Sequence, residues 1–209
     1  MRIGVLGTGR MGSTLGRLWA HAGHQICFGS RTPQKAQLLA ESIGSPTCGG
    51  SYADAATFGD VVVLATQWAG VSDALQAAGT LSDKILIDCT LPIVNREKAV
   101  DGNSSGAEEI ARLVPDAKVV KAFNTIHYEH FGATGFETPL TAFYCGDDAA
   151  AKTIAAELAI DLGVEPLDAG PLFLASFLEG MGLLYIYLSF VQGYGSTIGF
   201  KMQRIGSGT

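Results

Sequence analysis

What this chain has little of narrows the possibilities first. Its four cysteines, Cys27, Cys48, Cys89 and Cys145, are widely spaced with no CxxC pair, which excludes a disulfide framework and a zinc ribbon. Its four histidines, at 21, 24, 127 and 130, show no metal-ligand spacing, so no metal is expected. Charged residues are only 16%, and 14 Lys and Arg stand against 20 Asp and Glu, for a net charge of −6. That balance argues against a binder of nucleic acid or of an anionic membrane. Any anion site must therefore be local. Internal repeats, low-complexity tracts and obvious linkers are lacking too. The opening "MRIGVLGTG" breaks at glycines too early for a secretory leader, and a reduced, cytoplasmic setting is expected.

What is abundant is hydrophobic residues, 47%, and glycine, 27 in 209 residues. Such a chain can bury one sizeable core, as a domain with a short appendage. Continuous apolar runs at 2–7, 25–29, 60–66 and 84–90 predict strands covered on both faces, hence a parallel sheet. Helices are expected over 8–23, over 32–44 with Thr32 as N-cap and Pro33 at its first position, and over 70–79. A polar stretch, 95–109, is read as a surface loop. Strand character resumes at 117–125 and 140–146, a helix follows over 147–163, and "VEPLDAGPL" is a last strand and turn. The segment 172–191, "LFLASFLEGMGLLYIYLSFV", is long enough for a membrane span. Glu179, Gly180 and Gly182 near its middle argue instead for a buried helix shared between subunits.

The glycines at 7, 9 and 12 form GxGxxG between a strand and a helix, the context in which this pattern carries meaning. The first permits the turn, the second lets the backbone approach a pyrophosphate, and the third lets helix and strand pack closely. At the end of the second strand, where an acid would hold a ribose hydroxyl, the chain has Ser30 and Arg31, with Lys35 one turn on. Two cations and no acid in an acidic protein predict a seat for the 2′-phosphate of NADP. The expected fold is α/β: a Rossmann-type doubly wound, mostly parallel sheet with a short C-terminal helical and strand extension. Residues 1–146 are read as the NADP-binding domain and 147–209 as the extension that forms a substrate cleft and a dimer helix.

In such folds the ligand lies beyond the carboxyl ends of the strands. Thr66-Gln67-Trp68, Thr90-Leu91-Pro92 and Phe123-Asn124-Thr125-Ile126 arrive there. Asn124 is equally suited to bond a carboxamide, bond a substrate carbonyl or support a turn, and Trp68 to pack or to stack on a ring. Ser/His/Asp and Cys/His arrangements are missing, and Lys121 is the candidate proton donor of the strands. Hydride transfer between two docked redox rings is largely positioning and can proceed without a protein acid or base.

"MRIGVLGTGRMGSTLG", "GSRTPQKA", "VVKAFNT" and "EPLDAGPL", in this order, resemble the NADPH-dependent reductases of the deazaflavin coenzyme F420. The "KAFN" and "GSR" stretches also resemble the oxidoreductase domains of the metalloreductases called STEAPs. The resemblance implies hydride exchange between NADP(H) and a deazaflavin, or a flavin such as FMN or FAD, as co-substrate. By position it implies that Thr8, Gly9, Arg10 and Met11 meet the pyrophosphate and that Ser30, Arg31 and Lys35 meet the 2′-phosphate. Thr66, Leu91 and Asn124 would line the inner half, Asn124 and Ile126 would flank the hydride path, and a homodimer would form through residues 172–191. One departure bears on the second substrate: archaeal deazaflavin-reducing members carry a histidine where this chain has Asn124. Two alternatives stay open. One is a reductase of imines or carbonyls, for which Lys121, His127 and Tyr128 are the proton donors at hand. The other is an NADP-binding partner domain without turnover.

Overall fold

The computed structural model describes residues 1–94, 97–98, 104–133 and 135–203. Three βα repeats open it: β1 (Arg2–Leu6) and α1 (Arg10–His21), β2 (Gln25–Gly29) and α2 (Pro33–Ile43), β3 (Thr47–Gly50) and α3 (Tyr52–Phe58). Then follow β4 (Val61–Leu64), α4 (Val71–Ala78), β5 (Ile85–Asp88), a two-residue ladder of β6 (Ile93–Val94) with β7 (Glu97–Lys98), and α5 (Gly106–Leu113). The chain continues through β8 (Lys118–Ala122), β9 (Thr141–Gly146), α6 (Ala149–Asp161), β10 (Glu165–Asp168) and α7 (Ala175–Ile186), which runs on as a π-helical turn to Val191.

Eight strands make one sheet in the order β10-β9-β8-β5-β4-β1-β2-β3. All neighbours are parallel except β8 and β9, where Val120 faces Gly146 and Ala122 faces Tyr144. The fold is therefore the expected α/β, Rossmann-type, mostly parallel sheet. The apolar strands are covered on both faces, as their unbroken hydrophobicity requires. On one face Ile3, Val5, Ile26 and Phe28 pack with Leu15, Trp19 and Leu158, and the Trp19 Nε1–H donates to the Leu158 carbonyl at 3.0 Å. On the other, Leu6, Val62, Leu64 and Leu86 pack with Ala74, Leu75 and Ile110. Each such aliphatic side chain contributes about 1.5–3 kcal/mol by leaving water.

The order reverses between β1 and β4, and this switch point places the end of β1 beside Ala65 and Thr66. A ligand crevice belongs there by topology alone. The sheet also crosses residue 146, because α6 carries the chain to β10, the parallel neighbour of β9. What stands apart from the sheet begins with α7.

Five elements were not expected from the sequence: β3, α3, the short β6 and β7, and α5. The anticipated loop at 95–109 is shorter than read. Residues 95, 96 and 99–103 lie outside the described residues, but α5 already begins at Gly106. Its start is a capping box, in which the Ser105 Oγ accepts from the Glu108 N–H at 3.1 Å and the Ser105 N–H donates back to the Glu108 carboxylate at 2.9 Å.

The 172–191 segment is long and apolar enough to cross a membrane by length and composition. Its one charged side chain, Glu179, is buried against this chain's own sheet. The opposite face shows Phe173, Phe177, Leu184 and Phe190, each at least half exposed.

Candidate active site

Two cavities meet at the switch point. The first, of 440 Å³, runs from Gly7, Thr8 and Gly9 across to Ser30, Arg31 and Lys35. Each glycine of the loop does a separate job. Gly7 has φ +126°, and a Cβ there would lie 2.6 Å from the Ala65 carbonyl oxygen. A Cβ on Gly12 would lie 2.2 Å from the Gly7 carbonyl oxygen, so α1 reaches β1 only without one. A Cβ on Gly9 would meet nothing within 4 Å. The fold does not need Gly9; the open space beside it does. That is the shape of a seat for a group lying against the backbone at the start of α1, where unpaired N–H groups favour an anion.

At the far end of this cavity Arg31 and Lys35 are exposed, and neither has an ion-pair partner among the described residues. The Ser30 Oγ accepts from the Thr32 N–H at 3.2 Å, which sets the turn leading into α2. No carboxylate lines the cavity among the described residues. Two unneutralised cations and a hydroxyl are the donor set for a phosphate, and the ribose-binding acid of an NAD site is missing.

The second cavity, of 540 Å³, shares Thr66, Gln67 and Ala69 with the first. Its walls include Met11, Leu91, Asn124, Ile126 and, from α7 and its π-helical end, Tyr185 and Phe190. Among the described residues, no Asp, Glu, Lys or Arg lines it. Aromatic rings do: Trp68, Tyr128, Tyr185 and Phe190, with the His127 imidazole 6.0 Å from the Tyr185 ring and nearly parallel to it. Burial, helped by His130 and Arg10 and opposed by Glu129, holds His127 below the usual histidine range. Burial does the same to His130. Around neutral pH both imidazoles are therefore neutral.

Several oxygens here are buried without a partner: Thr66 Oγ1, Thr90 Oγ1 and Asn124 Oδ1. Such atoms cost free energy unless something bonds to them, and all three belong to residues that line the second cavity. Asn124 is aimed by its surroundings. Its Nδ2–H donates to the Leu178 carbonyl at 2.8 Å, which fixes which way the amide faces. The residue before it, Phe123, sits at φ +68°. This is a strained conformation for a bulky side chain, and it persists only where packing enforces it. Here Phe123 is wedged edge-on between Trp19 and Phe131, with ring centroids 5.9 and 6.0 Å away.

Most of the sequence-derived residues meet at these cavities. Gly7, Thr8, Gly9, Ser30, Arg31 and Lys35 line the first; Met11, Leu91, Asn124 and Ile126 line the second, and Thr66 joins both. Gly12 serves packing. Arg10 lines neither cavity, and its guanidinium lies over the Tyr128 ring, 5.6 Å from the centroid. Lys121 is no proton donor to the cleft. It is fully buried, and its ammonium is enclosed by Asp88 Oδ2 at 2.8 Å, the Thr90 carbonyl at 2.6 Å and Glu179 Oε1 at 3.1 Å. Burial pushes that ammonium down, but Asp88 and Glu179 outweigh it and hold it above the usual lysine range. Sequence reasoning passed over Tyr52 of α3 and the Tyr185–Phe190 wall. Nothing local marks them; only the tertiary fold brings α7 over the crevice.

A glycine cradle adjoining a ring-lined cleft at the switch point defines a dinucleotide-binding oxidoreductase. The comparisons sharpen this. The family model described as NADP oxidoreductase, coenzyme F420-dependent, matches residues 2–92. The F420-dependent NADP reductase of Methanothermobacter thermautotrophicus is 30% identical over 210 residues, covering 90% of this chain and 89% of the relative. The chain belongs to this family of NADP-dependent oxidoreductases. A solved structure from Arthrobacter sp. FB24, which carries the same family's name, superposes with a TM-score of 0.84 at 32% identity, covering 98% of this chain and all of the other. Metalloreductase STEAP3 of Rattus norvegicus is 30% identical over 182 residues, or 87% of this chain. The chain spans only 36% of that relative's length.

Proposed function

We propose that this protein passes hydride between NADP(H) and a deazaflavin of the coenzyme F420 type, or a flavin, docked in the ring-lined cleft. The observation that carries the proposal is that two adjoining cavities share Thr66, Gln67 and Ala69 as walls, the first cationic at its far end, the second aromatic and, among the described residues, uncharged. Gly7, Thr8 and Gly9 would hold the pyrophosphate, with Arg10 and Met11 at the start of α1 closing over it. Ser30, Arg31 and Lys35 would hold the 2′-phosphate. Thr66, Thr90 and Leu91 would line the second ribose, and Asn124 Oδ1 would accept the nicotinamide carboxamide N–H. Asn124 and Ile126 would then flank the reacting face. Bound NADPH supplies the hydride; the chain's part is to align two rings and keep water from between them. The described cleft wall, apolar and aromatic with no ionised side chain among the described residues, suits a reaction that needs alignment more than proton transfer.

Anaerobic stopped-flow absorbance tests this reading. NADPH mixed with the protein and F420, FMN or FAD in turn should be oxidised rapidly with one of these rings. Tight NADPH binding without oxidation by any of them would reject the ring-acceptor reading. It would favour a carbonyl or imine substrate served by His127 and Tyr128, or an NADP-binding domain without turnover.

The same proposal includes a homodimer through residues 172–191. Phe173 just before α7 and Phe177 and Leu184 on it leave an apolar face open, and Phe190 is both 57% exposed and part of the cleft wall. A second copy would cover that face and shield the cleft mouth. The wild-type chain should sediment as a dimer and Phe177→Glu as a monomer with unchanged helical content. A wild-type chain that sediments as a monomer at micromolar concentration rejects the dimer.

A further inference from the structure

The enclosed ammonium of Lys121 has a use that its burial hides. All three of its N–H donors have acceptors: Asp88 Oδ2, Glu179 Oε1 and the Thr90 carbonyl. Both carboxylates are fully engaged as well. Asp88 Oδ1 accepts from the Thr90 N–H at 2.8 Å. Glu179 takes the first N–H groups of α5, from Gly106 at 3.0 Å and Ala107 at 3.2 Å. One cation, two anions and the positive end of a helix thus balance in a site closed to water.

Two arms of this network reach the cleft, one through Thr90 and one through α7. Thr90 is gripped at both ends of its own residue, its N–H by Asp88 and its carbonyl by Lys121. Thr90 and Leu91 form one wall of the second cavity. Glu179 pins α7 beside Leu178, whose carbonyl orients the Asn124 amide. One turn further, Gly182 lets α7 press close against Leu91 and Asn124; a Cβ there would lie 2.6 Å from Leu91 Cδ2 and 2.9 Å from the Asn124 carbonyl oxygen. The ammonium therefore joins three separate segments: the turn after β5, the turn after β8 and the C-terminal helix.

We propose that Lys121 is a positioning residue for hydride transfer. Through Asp88, Thr90 and Glu179 it sets the spacing of the inner cleft walls, and so the direction in which Thr90 Oγ1 and Asn124 Oδ1 meet the nicotinamide. This rests on the NADP reading above. It assigns the inner half of the dinucleotide, but not the adenosine half, to the buried network.

Removing Lys121 alone would strand two buried carboxylates, so the informative variant neutralises the whole network: Asp88→Asn, Lys121→Met, Glu179→Gln. Neutralising all three members together leaves no uncompensated buried charge behind. The readouts are calorimetry with 2′,5′-ADP, saturation-transfer NMR of bound NADP, and the hydride-transfer rate. The folded triple variant should bind 2′,5′-ADP as the wild-type chain does, lose saturation at the nicotinamide protons relative to the adenine protons, and transfer hydride at least about tenfold more slowly. Wild-type nicotinamide saturation and rate in that variant would overturn the proposal. Should the triple variant not fold, Glu179→Gln decides, because it leaves Lys121 and Asp88 as a balanced pair. Weakened nicotinamide saturation with intact 2′,5′-ADP binding supports the proposal, and unchanged saturation overturns it. A wild-type chain that binds neither 2′,5′-ADP nor NADP refutes the cofactor reading itself, a result visible before any variant is made.

Discussion

Gly9→Val should leave the melting temperature of the protein unchanged while weakening NADPH binding by about a hundredfold or more. The two halves of this prediction have separate physical sources. Gly9 has φ −74° and ψ −177°, extended backbone that any residue adopts. Its position as N-cap of α1 supplies no side-chain hydrogen bond that could be lost. An added Cβ meets no atom within 4 Å, so the folded chain tolerates it. The space it enters is the one a pyrophosphate needs to reach the N–H groups at the start of α1. Losing two charge-assisted hydrogen bonds, at about 1.5–3 kcal/mol each, accounts for the factor. Gly12→Ala should behave in the opposite way. Its Cβ would collide with the Gly7 carbonyl, so the melting temperature falls whether or not the ligand is present. Calorimetry and thermal melting on both variants separate the roles. A Gly9→Val chain that binds NADPH normally would place the dinucleotide elsewhere.

This division of labour among the three glycines was legible in the sequence, because the tight turn and the close approach are properties of the GxGxxG spacing in a strand–helix setting. The cationic corner was legible for a similar reason: Ser30, Arg31 and Lys35 are neighbours along the chain, and the end of β2 carries them to the cavity together. Two missed elements had a signal that the apolar pattern drowned out. α3 and α5 are short, but each opens with a capping box, Ser51 with Asp54 and Ser105 with Glu108. β3, "TCGG", has little β-branched character and owes its existence to pairing with β2, Cys27 opposite Cys48. The antiparallel step between β8 and β9 left no mark in either strand's composition.

The inner cleft was legible only as a list of turns. That Thr66, Leu91 and Asn124 converge follows from strand order. That Tyr185 and Phe190 close the cleft depends on where α7 lands, and Glu179 decides it. A lone acid in an apolar helix could be read as an argument against a membrane span. Its partner, Lys121, lies 58 positions earlier on an apolar strand, and no periodicity links the two. Long-range ion pairing of this kind is a tertiary fact.

Arg31→Ala should weaken NADPH by about ten- to a hundredfold and leave the weak binding of NADH nearly unchanged. The guanidinium stands exposed at the end of the first cavity without an ion-pair partner among the described residues. No existing bridge is broken by its loss, and stability should hold. What is lost is a planar, bidentate contact to a doubly charged group, worth about 1.5–3 kcal/mol where it forms. NADH has a hydroxyl at that position and cannot make the contact, so the loss is selective. Lys35→Ala should cost less, since an ammonium on a flexible stem acts as a point charge and water screens it at the cavity mouth. Raising the salt concentration should shrink the difference between wild type and Arg31→Ala for the same reason. The measurement is calorimetric titration of each chain with both dinucleotides at two ionic strengths. Equal losses for NADPH and NADH would mean that Arg31 reads the adenine or the pyrophosphate. The preference of this family member for the phosphorylated cofactor would then need another origin than the corner after β2.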